Sequence, residues 1–154
     1  MNNLKGFSYI EILVTLCLIG LLSSAIFPIG NLFVRYQKEK ELKFALHEVR
    51  SAIDQYKYAS DQGLIDKSFK TDSGYPPNLE VLLGVASSNR DAHKLRFLRR
   101  IPKDPFKPIN TKGNEWGLRS FSSEVNSPSY ENDVYDIYSK SELFGSNNIK
   151  YKDW

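Results

Sequence analysis

From Ile12 to Val34 the chain runs 23 residues without a charge, and fourteen of them are Leu, Ile, Val or Phe. At about 1.5 Å of rise per residue, a helix of that length measures roughly 35 Å, so the pattern predicts a segment able to cross a bilayer. After Val34 the pattern changes. Leu42, Leu46, Val49, Ile53 and Tyr56 recur at three-to-four spacing with Lys, Glu, Arg and Asp between them, the signature of an amphipathic helix. Gly63 is the predicted stop. Together these predict one long helix from Phe7 to Gln62, its first half spanning lipid and its second half laid on a globular head.

Downstream, Pro76 and Pro77 bar helix continuation and open a short new turn in SGYPPNLEVLLG, Ser73 to Gly84, with Leu79, Leu82 and Leu83 expected to face a core. The last third reads as strands. Trp116 to Ser122, Val134 to Ser139 and the alternating Ile149 to Trp154 are the candidates, joined by turn-rich stretches at Asn126 to Asp133 and Gly145 to Asn148. The expected class is α+β, a small antiparallel sheet against the amphipathic half-helix.

Composition narrows the function. The chain has 154 residues, of which 25% are charged, and a formal net charge of +3. That is one domain's worth of residues outside the apolar segment, and too little charge to argue for a nucleic-acid partner. Lys94 to Lys107 is a local exception, with six basic residues against one acidic. The favoured reading is a solvated basic face over a core formed by Leu95, Phe97, Leu98 and Ile101; the alternative is contact with DNA or anionic head groups. Cys17 is the only cysteine, so no intramolecular disulfide forms. His47 is expected to face solvent, and His93 has no nearby histidine or cysteine with which to hold a metal. No zinc spacing, phosphate-cradling glycine loop or G-x-S-x-G turn is present, and an enzymatic role finds no support.

The anomaly is Glu11, a carboxylate at the start of the apolar run, five residues past Gly6. Such a charge near the centre of a span costs roughly 2.5 to 3.5 kcal/mol on insertion scales. Either it snorkels to an interface or it meets a cationic partner in the apolar layer. An α-amino group newly exposed by cleavage after Gly6, on a neighbouring copy, is such a partner.

With the leader MNNLKG, then FSYIE, and with Pro28 in the apolar run, the segment resembles the N-terminus of type IV pilin-like prepilins. The Tyr-Pro pair at Tyr75 and Pro76, the Pro-x-Asp-Pro turn of Pro102 to Pro105, and VYDIYS followed by a terminal Trp154 are most similar to the major pseudopilins of type II secretion, the G class. The resemblance implies a pilin-like fold with residues 1–6 as leader, 7–34 as transmembrane and filament-core segment, and 35–154 as a periplasmic globular domain whose residues 35–62 complete the long helix. It implies cleavage between Gly6 and Phe7 by a prepilin peptidase and methylation of the Phe7 amine. Glu11 would act in subunit assembly and Pro28 would bend the helix. The implied location is single-pass in the inner membrane before assembly and in a filament afterwards.

Partners implied are copies of the chain and other pseudopilins, an inner-membrane assembly platform and its cytoplasmic ATPase, with nucleic acid not expected. In the family, the loop after the VYDIYS-like strand binds calcium. Here the loop reads KSELFGSNN without the family's Asp-Gly, and Glu142 and Asp153 are the candidate ligands.

Four expectations compete with this one. Counting Lys and Arg flanks, with Lys5 before the span and Arg35, Lys38, Lys40 and Lys43 after it, favours the opposite orientation. A conventional signal peptide cut after Ala25 would release a soluble secreted protein, and an uncleaved anchor would keep Met1. A minor or competence-type pilin would use the basic run on DNA or in adhesion.

Overall fold

The computed structural model describes residues 6–88, 94–107, 115–124 and 127–154; the side chains of residues 24–29 lie outside that description. The leader before Gly6, His93 and the side chain of Pro28, with the kink expected of it, therefore fall outside the described residues. The chain divides after Gln37 into two units.

Helix α1 runs Tyr9–Asp61, 53 residues, within two residues of the predicted start and end. Its C-terminus closes as the sequence suggested. Gly63 takes φ 71°, the Gly63 N–H donates to Ser60 O and the Leu64 N–H to Ala59 O, both at 3.0 Å. That pair of bonds satisfies two carbonyls which the last turn would otherwise leave open.

Among the described residues no helix is long and apolar enough to cross a membrane. This overturns the membrane-spanning half of the expected fold class, and with it the expected single-pass inner-membrane placement with a periplasmic domain. The α+β character remains: one long helix and a two-stranded sheet.

In the second unit the core forms along one stripe of α1. Leu42, Leu46, Val49, Ile53 and Tyr56, joined by Ala45, Ala52 and Ala59, are buried as the periodicity required. Against them lie Ile65, Leu79, Leu82, Val85, Leu98, Trp116, Val134, Ile137 and Tyr151. His47 faces solvent. The turn after the two prolines is a 3-10 helix, Glu80–Leu83. It buries Leu79 and Leu82 but leaves Leu83 36% exposed, because a tighter 3-10 turn carries the third leucine off the inward face.

The sheet pairs β1, Trp116–Arg119, antiparallel to β2, Asp136–Ser139, with Trp116 opposite Ser139 and Arg119 opposite Asp136. Both strands are shorter than the sequence suggested. Gly117 is required where it stands: a Cβ there would lie 2.3 Å from the Tyr138 ring. The third expected strand, Ile149 to Trp154, is not one. Lys150 makes a single bridge to Phe144, and Tyr151–Asp153 forms a 3-10 turn, so the alternation there reflects one buried tyrosine in a turn.

The Pro-x-Asp-Pro turn has a physical purpose. Asp104 is buried, accepts from Phe106 N at 2.8 Å and Ser139 Oγ at 2.6 Å, and so ties the turn to the end of β2. Trp116 Nε1 donates to Pro102 O at 2.8 Å, fastening the same turn to β1. The Tyr-Pro segment is fastened in the same way, with the Val134 N–H donating to Pro76 O at 2.8 Å and Tyr130 Oη to Pro77 O at 2.8 Å.

Candidate assembly surface

At the beginning of α1, Ser8 precedes the first helical residue, and the Glu11 and Ile12 N–H groups both donate to Ser8 O, at 3.0 and 3.2 Å. The Ser8 N–H in turn lies 3.4 Å from Glu11 Oε2. Ser8 and Glu11 thus form half of a capping box, the acid reaching back to a backbone donor of the first turn. A carboxylate at this end is also favoured by the helix dipole. This second role for Glu11 was open to sequence reasoning through the S-x-x-E spacing. Phe7 is 80% exposed, and a shallow recess is lined by Phe7, Glu11, Ile12 and Thr15.

The side chains that follow are the unusual feature. Tyr9, Ile10, Ile12, Leu13, Val14 and Leu16 are all exposed, as are Leu18, Ile19, Leu21 and Leu22. At 100° per residue these positions occupy every side of the helix. A helix apolar all round is ordinarily buried on all sides, and an exposed apolar surface this continuous marks an interaction surface. Leu32, Phe33, Val34 and Tyr36, further along α1, are exposed as well. Cys17 is exposed in the same stretch.

Glu142 and Asp153, the two expected calcium ligands, are both exposed. Glu142 is exposed and accepts from Lys150 Nζ at 2.9 Å and Lys152 Nζ at 3.0 Å. Hydrogen bonds from these two ammonium groups hold its carboxyl below the ordinary range, and the same contact holds Lys152 above its own. A cation would have to displace both lysines. Among the described residues no group of three or more His, Cys, Asp or Glu side chains is arranged to hold a metal ion.

What holds this loop is a residue the sequence reading passed over. Glu39, on α1, is 4% exposed. It accepts from Ser146 N at 2.8 Å, Ser146 Oγ at 2.6 Å and Tyr151 Oη at 3.0 Å. Its place on the core stripe, three residues before Leu42, was the available signal. Arg50 makes a second tie, donating to Asp136 Oδ1 at 2.8 Å and to the main-chain oxygens of Ile137 and Trp154 at 3.2 and 2.9 Å. Asp136 is shared with Arg119 at 3.1 Å.

The basic run is a solvated face, as expected. Lys94, Arg96, Arg99, Arg100 and Lys103 are exposed while Leu98 is buried and Leu95, Phe97 and Ile101 are half-buried. Lys107 differs, being paired with Glu115 at 2.9 Å. No family model, no curated protein and no solved structure matches the chain.

Proposed function

We propose that this chain is a pilin-like filament subunit, of the kind represented by type II secretion pseudopilins, whose leader is removed by a prepilin peptidase between Gly6 and Phe7. The observation that carries the reading is the apolar surface around every side of α1 from Tyr9 onward, with Glu11 as its one carboxylate as far as Ser23. Parallel copies of the same helix cover such a surface in a bundle, and the burial supplies the driving force for assembly.

In the bundle, Glu11 of one copy accepts from the methylated Phe7 amine of the next. Burying a lone carboxylate is costly, so only the register that pairs it is stable, and the acid sets the axial position of each added subunit. The chain acts by polymerising; an assembly platform and its ATPase supply the work.

The test is Glu11→Gln. Glutamine preserves the capping geometry at Ser8 but carries no charge. Incorporation into filaments is expected to fall by about two orders of magnitude, the scale of roughly 3 kcal/mol for a broken buried pair, with the second unit's unfolding midpoint unchanged. Wild-type incorporation would refute the pairing.

A further inference from the structure

The five exposed cations from Lys94 to Lys103 make no ion pair with any described carboxylate. The same unit carries a face of opposite character. Tyr75, Phe121 and Tyr135 form a ring cluster with centroids 5.1 to 5.6 Å apart. Two of the rings already hold cations of the chain itself: Lys57 Nζ lies 5.5 Å from the Tyr75 centroid and the Arg119 guanidinium 5.3 Å from that of Tyr135. The third ring, Phe121, is 61% exposed. It borders a cavity of about 160 Å³ whose lining, among the described residues, includes Asp72, Ser122, Glu131 and Asp133 but no lysine or arginine.

Asp133 is committed internally, accepting from Ser73 Oγ and from Phe121 N at 2.9 Å. Asp72 and Glu131 are exposed at the rim. An aromatic face beside carboxylates attracts a guanidinium twice over, through the ring quadrupole and through bidentate hydrogen bonds.

We infer that these two faces meet between copies: the Arg99–Arg100 corner of one subunit docks on the Phe121 face of another, between Asp72 and Glu131. The inference rests on the filament reading for its partner, a second copy of this chain. Because the two patches are different surfaces of one molecule, the contact is heterologous and propagates from copy to copy, as a filament requires. Charge complementarity favours a copy of this chain over nucleic acid. Phe97 and Phe106, the aromatics within the basic run, are half-buried, with Phe106 stacked on Tyr151 at 3.9 Å, so neither offers a free ring to a base.

Unlabelled and 15N-labelled full-length chains, mixed and treated with a zero-length carbodiimide, test it. Mixed-isotope cross-links joining Lys94 or Lys103 to Asp72 or Glu131 are expected. They should fall at least about tenfold in R99E/R100E, where like charges oppose. Mixing R99E/R100E with D72K/E131K should restore coupling between the two patches with polarity reversed. Assembly with cross-links confined to other surfaces would overturn the contact and leave the filament reading standing. Absence of intermolecular cross-links, or failure of the reversed pair to restore them, overturns it as well. So does salt-dependent binding of a DNA duplex that is lost in R99E/R100E while cross-linking is absent, which assigns the strip to nucleic acid.

Discussion

Tyr56 shows how one side chain couples burial to pH. Its ring is fully enclosed in the core and its hydroxyl donates to Phe69 O at 2.5 Å. Burial penalises the phenolate and pushes its pKa from 10.0 up to about 12. The folded state therefore holds the proton where the unfolded chain has lost it. The stabilisation is complete below pH 10.0 and is lost as pH rises from there to about 12. The urea midpoint is expected to fall across that window in the wild type and to fall less in Tyr56→Phe, which costs about 1 kcal/mol at neutral pH for the lost hydrogen bond. An equal alkaline fall in the two proteins would assign the loss to other groups. Glu11 and Glu39 carry a related lesson. Both are acids on α1, yet one caps an exposed first turn while the other is sealed under a loop, a difference set by what folds over them.

At the scale of elements, the long helix was legible because periodicity is a direct record of burial. The stripe from Leu42 to Tyr56 and the Gly63 stop are where the pattern placed them. The short elements were less so. IKYKDW alternates as a strand does, but a strand also needs a neighbour along its length, and among the described residues the only ladder contact there is the bridge of Phe144 to Lys150. Partnership is non-local, and alternation cannot report it. The lysines that engage Glu142 lie 8 and 10 residues away, a pairing that local sequence likewise does not report. The membrane span was read from the length of the uncharged run, and among the described residues no helix provides it. What fixes the loop containing Gly145 is its anchorage to α1 through Glu39. Glu39→Ala should strand the Ser146 and Tyr151 donors and destabilise the second unit by about 3 kcal/mol, read as a lower denaturant midpoint. A change under about 0.5 kcal/mol would show that the loop holds by packing alone.

At the scale of the whole molecule, the two units have different requirements. The second has its own core and closes its polar groups internally; among the described residues only Ser60 Oγ is buried without a hydrogen-bond partner. The first exposes apolar side chains that copies of itself would cover. We propose that a chain divided in this way is completed by assembly, and that is the central claim. Its most direct test is the mass of the N-terminal peptide of the chain purified from assembled material. The account predicts a chain beginning at a methylated Phe7, the amine that Glu11 of the adjacent copy accepts from. A chain that keeps Met1, or begins at Ile26, has no such amine beside Glu11 and would contradict it.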